Sequence, residues 1–188
     1  MIEHTKWQDI SYLKNGNPKQ IKAYKVLEDL DIMSILLQYN PILTGTIPIG
    51  IDISSSDLDI ICQVSNFGSF RKPVHNHWGD YEHFTESLNI DNYVASFRHD
   101  GFEIEIYAQN IPTLRQNAYL HMVIEERILN LAGEKFRNDI IGLKLNGYKT
   151  ESAFGKLLNL QNPFEELLEL SECDDETLTE LLVQSGNK

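Results

Sequence analysis

Asp57 and Asp59, one residue apart in "SDLDIICQV", are the side chains whose type and spacing most plainly serve chemistry. Residues i and i+2 of a strand share a face, so both carboxylates point the same way and their oxygens can share a hard cation. Mg2+ takes oxygen ligands, keeps several waters and bridges to substrate phosphates. Two such ions stabilise the attacking and leaving oxygens of an in-line displacement, and holding two ions calls for a third carboxylate from a neighbouring strand. "FEIEIY" offers Glu103 and Glu105 on one face. Upstream, "TGT" ends an apolar stretch with Gly45, where a backbone can approach a ligand closely, and Thr46 supplies a hydroxyl. The plain alternative is an edge strand with both aspartates solvated, but solvated aspartates are poor strand formers.

These groups need elements to position them. "TKWQDISYLKNGN" reads as a short helix stopped at Gly16, and Pro18 suits the first turn of the next. Ile21, Tyr24, Leu27 and Leu30 fall at helical spacing, and "IMSILLQY" continues apolar to Tyr39. "PILTGT" is a short strand or strand-to-turn. In the following strand Leu58, Ile60 and Cys62 form one face, and Asp57, Asp59 and Ile61 the other. Pro73, Gly68 and Gly79 argue against a long helix in "SNFGSFRKPVHNHWGDYEHFTESLN". "NYVASFRHDGFEIEIYAQ" is a hairpin about "HDG". Beyond Pro112 come helices: a stripe of Leu120, Ile124, Ile128 and Leu131, then "EKFRNDIIGLKLNG", then "TESAFGKLLNL" with Thr150 as N-cap, then "PFEELLEL" and "DDETLTELLV". Helices, a small strand group and a run of helices define an α+β class with a helical C-terminal half.

The bulk properties narrow the function. The 188 residues, 41% hydrophobic, suffice for a core. The formal net charge is −12; eight acids and one base between Gln161 and Lys188 contribute −7, leaving −5 elsewhere. Such a balance excludes an extended nucleic-acid surface. Two cysteines, Cys62 and Cys173, form no disulfide framework. "MIEHTKWQDI" lacks the apolar run of a signal peptide and no stretch suits a membrane span, so a cytoplasmic protein is expected.

"GT…SDLDI" resembles the signature of the nucleotidyltransferase superfamily, a glycine turn followed by Asp-x-Asp with a later acidic residue on another strand. "TGTIPIGIDISSSDLDIIC", "EIEIYAQ", "QNAYLHMVIEERIL" and "GYKTESAF" look like a bacterial family of unknown function with a nucleotidyltransferase-like fold, over roughly residues 7 to 170. The resemblance implies a small mixed sheet packed on helices. It divides the chain into a nucleotidyltransferase-like α/β core over 1–110 and a helical region over 111–188, one compact unit with the core. It implies Mg-dependent transfer of a nucleotidyl group from an NTP to an unknown acceptor, with two Mg2+ ions or Mn2+ in their place. By position, Asp57, Asp59 and Glu105 match the metal-ligating and catalytic residues, with Glu103 second to Glu105. Gly45 and Thr46 match the nucleotide-binding turn. Ser56 beside the pair, and Lys149 at a helix start where a phosphate could sit, complete the nucleotide-binding candidates. Thr46 departs from the usual serine or glycine but keeps a hydroxyl. Asp52 in the insert "IPIGIDISSS" has no assigned role. The alternative is a catalytically inactive nucleotide-binding or protein-interaction module of the same fold.

Other polar groups read more plainly. Arg98 is a further triphosphate candidate. His121 and Glu125, at i and i+4, read as a hydrogen-bonded pair on a helix surface, since no third ligand is visible. His75, His77 and His83 read as a solvated loop, and Trp78 and Tyr81 as weak candidates for stacking on a base. Leu178, Leu181 and Leu182 form a stripe on the acidic last helix, available to dock on the body or on a protein partner.

Overall fold

The computed structural model describes residues 6–187, so Thr5, the start of the expected first helix, lies outside them. The chain divides into two compact units, Met1–Gly50 with Ser56–Tyr119 and Ile51–Ser55 with Leu120–Lys188.

The first unit opens with two 3-10 segments, Lys6–Gln8 and Ile10–Asn15. Helix α1 (Pro18–Asp29) starts with a capping box between Asn17 and Gln20 and Pro18 in its first turn. The apolar run beyond it is not one helix. Asp31 takes a left-handed φ of 48° and breaks the run into α2 (Ile32–Ile35) and a 3-10 turn, Leu37–Tyr39. Strands β1 (Ile42–Thr44), β2 (Leu58–Gln63), β3 (Glu82–Leu88), β4 (Asn92–His99) and β5 (Phe102–Gln109) form one mixed sheet in the order β1-β2-β5-β4-β3. Only the β2–β5 pair is parallel, and a parallel pair requires a crossover between its strands.

Part of that crossover is α3 (Phe67–Trp78), a 12-residue helix that runs through Gly68 and Pro73, two of the residues expected to interrupt a long helix. A mid-helix proline costs about 3 kcal/mol. Phe70, Val74 and Trp78, four residues apart, are each at most 1% exposed, and burying three such side chains contributes roughly 1.5–3 kcal/mol apiece. Burial wins. Trp78 stacks parallel to Phe97, so it is a core residue and cannot hold a base. His75 and His77 lie in the last turn of α3 rather than in a loop. His83 sits in β3, where the register with β4 shifts and its φ is 56°.

The hairpin is as the alternation requires. Phe102, Ile104, Ile106 and Ala108 are buried in the same core cluster as Leu58, Ile60 and Cys62 of β2 and Tyr93, Ala95 and Phe97 of β4. The Asp100–Gly101 turn takes φ values of 44° and 81°.

The second unit is helical: most of α4 (Asn117–Ala132), then α5 (Glu134–Leu145), α6 (Thr150–Leu158), α7 (Pro163–Leu170) and α8 (Asp175–Gln184). Lys149, not Thr150, occupies the N-cap of α6, with no side-chain cap. Helix α8 is capped by Asp174, and its Leu178 and Leu182 are buried. Arg127 of α4 holds the α7–α8 connection through the Ser171 and Cys173 carbonyls and the Asp175 carboxylate. Among the described residues no helix is long and apolar enough to cross a membrane.

Candidate functional site

Strand alternation places Leu58 and Ile60 in the core and Asp59 on the opposite face. Asp57 lies just before β2, exposed, rather than within the strand. Register then assembles a polar row across the sheet. Asp59 pairs with Thr44 of β1 on one side and with Glu105 of β5 on the other. Glu105 in turn pairs with Ser96, and Ser96 with Thr85. In-register neighbours on adjacent strands share a face, so one row holds Thr44, Asp59, Glu105, Ser96 and Thr85. Glu105 is half-buried while Glu103 is exposed and paired with Arg98 at 3.7 Å. That separates the two glutamates, which the sequence pattern alone places on one face.

The charges converge. Burial, then the carboxylates of Asp57, Glu105 and Glu103, push the Asp59 carboxyl up to about 8. Glu105 is raised by burial and by Asp57 and Glu103. A half-buried group surrounded by acids holds its charge poorly unless a cation joins it. The donor set is all oxygen, the preference of Mg2+ and Mn2+.

The turn beside this row is built around Gly45. Its φ is +84°, and a Cβ there would lie 2.8 Å from Asp59 Oδ2. Only glycine combines that backbone with so close an approach. Thr44 Oγ1 donates to the Asp59 carbonyl at 3.3 Å, tying β1 to β2 at this row. Thr46 Oγ1 and Ser56 Oγ are 3.0 Å apart and share a hydrogen bond, so two of the expected nucleotide-binding hydroxyls meet. The chain between them is partly apolar: Ile47, Ile49 and Ile51 are buried, and Gln20 donates to the Ile47 and Pro48 carbonyls. Asp52 is half-buried. Lys149 is exposed at the N-terminus of α6 in the second unit.

A second polar cluster lies within the helical unit. His121 and Glu125 of α4 are 5% and 4% exposed, not a surface pair. Glu151 of α6 joins them, with one ligand atom from each of the three within 4.8 Å of the others. Spacing could not reveal Glu151, which lies on another helix. Burial of His121 was legible only as the apolar residues around it, "AYLHMVI".

The five-stranded mixed sheet with its helices is a nucleotidyltransferase-like fold. Three solved structures share the fold. One is Cid1, described by its RNA terminal uridylyl transferase activity, with a TM-score of 0.56 and 13% identity over 76% of this chain and 48% of that one. A cytoplasmic RNA terminal U-transferase gives a TM-score of 0.51 and 12% identity over 80% of this chain and 43% of that one. The GLD-2/RNP-8 complex gives a TM-score of 0.53 and 14% identity over 94% and 81%. The chain thus spans under half the length of the first two. No curated protein matches the sequence. The sequence model of DUF4269, a domain of unknown function, matches residues 25–170, and the chain belongs to that family.

Proposed function

We propose that this protein transfers a nucleotidyl group from an NTP to an acceptor, with Asp57, Asp59 and Glu105 holding two Mg2+ ions. The observation that carries it is the register Thr44–Asp59–Glu105 with Asp57 adjoining, which gathers carboxylates on one sheet face beside a glycine turn. Bound there, the ions would supply charge neutralisation for the triphosphate and the transition state.

The chain's own residues would align the reactants. The acceptor oxygen would bond to the α-phosphorus as the bond to pyrophosphate breaks. Asp59 and Glu105 would orient the acceptor hydroxyl and draw its proton. Gly45, Thr46 and Ser56 would seat the β- and γ-phosphates through backbone N–H groups and hydroxyls. Rate would come from alignment and fixed charge rather than covalent chemistry. Lys149, on the helical unit, is a separate triphosphate-binding proposal, tested by Lys149→Ala.

The test is Asp57→Asn combined with Asp59→Asn. The double variant should fold, lose Mg2+-dependent NTP binding and lose transfer from labelled NTP to a panel of RNA 3′ ends, small hydroxyl compounds and protein side chains. Undiminished Mg2+–NTP binding by the double variant would refute the assignment. Nucleotide binding by the parent without transfer to any acceptor would favour the second reading, a nucleotide-binding module of the same fold.

A further inference from the structure

The His121–Glu125–Glu151 cluster has features that a packed helical core does not explain. His121 is 95% buried, since only 5% of its surface is exposed, and neither ring nitrogen has a hydrogen-bond partner. A buried polar atom left unpaired costs about 1–3 kcal/mol. Glu125, one turn along α4, is equally buried, and burial and then the Glu151 carboxylate raise its pKa, with Lys144 opposing. Lys144 already donates to the Ile51 carbonyl at 2.8 Å. The ring of Phe164 lies 4.4 Å from the imidazole and walls the cluster with apolar surface.

We propose that His121, Glu125 and Glu151 form a second metal site, in the helical unit, for one divalent transition-metal ion of the Zn2+ type. The spacing i, i+4 stacks His121 and Glu125 on one face of α4, and Glu151 reaches them from the first turn of α6. Ligand atoms about 2.1 Å from a shared ion lie about 3–4 Å apart. The present separations, within 4.8 Å, are about 1 Å wider than that at most. One imidazole nitrogen with two carboxylates suits Zn2+, Fe2+ or Mn2+ better than Mg2+, which favours an all-oxygen set. Burial lowers the pKa of the His121 imidazole, against the opposing pull of the Glu151 carboxylate, and so favours the neutral form that ligates. The ion would engage one of the two orphaned nitrogens and balance both carboxylates. Three protein ligands leave a coordination position open. This site does not depend on the nucleotidyl-transfer proposal, and its donor set differs from the carboxylate row.

The test uses the full-length chain stripped with chelator, carrying Asp57→Asn and Asp59→Asn so that the other cluster takes no ion. Co2+ is titrated and followed by its visible absorption, and Zn2+ is then added as competitor. One Co2+ per chain, displaced by Zn2+, is expected, with affinity reduced at least tenfold by Glu151→Gln and abolished by His121→Ala. Glu151 is only half-buried in a helix first turn, so its variant keeps the test valid if His121→Ala fails to fold. No Co2+ uptake at millimolar concentration, or uptake unchanged in Glu151→Gln, would overturn the proposal.

Discussion

Substituting Gly45 by alanine probes the link between the turn and the carboxylate row. The backbone there has φ +84°, and the new Cβ would lie 2.8 Å from Asp59 Oδ2. Left-handed backbone costs a non-glycine residue about 1–2 kcal/mol. The contact is roughly 0.5 Å inside an ordinary C···O separation of about 3.3 Å. Asp59 must therefore rotate away, at about 0.5–1.5 kcal/mol for an off-rotamer side chain. The sum is about 1.5–3.5 kcal/mol, read as a shift in urea midpoint at constant slope. A double-mutant cycle separates the two parts. In an Asp59→Ala background the carboxylate is gone, so Gly45→Ala should cost only the backbone strain. A coupling of about 1 kcal/mol is expected, with a parallel loss of Mg2+–NTP affinity in the single variant. Equal cost in both backgrounds, with affinity intact, would refute the reasoning.

Gly155→Ala should lower the melting temperature by several degrees, because its Cβ would clash with the Pro163 ring. Gly142→Ala in α5 meets nothing within 4 Å and should instead stabilise by about 0.5–1 kcal/mol. Glu86 accepts from Arg71 Nε at 2.8 Å and Tyr93 Oη at 2.9 Å, and the Arg71 hydrogen bond holds its carboxyl below the usual range. A depressed carboxyl stabilises the fold above its unfolded value of about 4.3 and loses that contribution as pH falls through the folded value. Glu86→Gln should therefore lower stability near pH 7 by about 1 kcal/mol and have little effect near pH 3, checked by denaturant titration at both. Leu182→Ala should cost about 2–4 kcal/mol on thermal or urea unfolding, because Leu182 is fully buried in the chain itself. An unchanged midpoint would return that face to a partner.

Alternation made the hairpin and the facing of Asp59 legible, because a one-residue slip would expose Leu58, Ile60, Ile104 and Ile106. The C-terminal helices were legible from their stripes and from Pro163 and Gly147. Three features were not. Helix α3 hides behind Pro73, whose local penalty is outweighed by tertiary burial of Phe70, Val74 and Trp78. Strand β3 is nearly all polar and exposed, and pairs only with β4, so it carries no alternating signal. The α1 stripe runs on to Tyr39, yet Asp31 breaks it by a left-handed turn that composition does not announce. In the candidate site, Glu105 and Glu103 share a face by pattern, and only burial and the Arg98 pair part them. Glu151 meets His121 and Glu125 through packing of two helices, which no local period encodes.

The most direct measurement is anomalous diffraction from crystals of this chain grown with Mn2+ and a non-hydrolysable NTP. Strong Mn2+ signal between Asp57, Asp59 and Glu105, with triphosphate density at Gly45 and Thr46, is the expected result, lost in crystals of the Asp57→Asn, Asp59→Asn variant. Nucleotide bound elsewhere, or no Mn2+ among the three carboxylates, would contradict it.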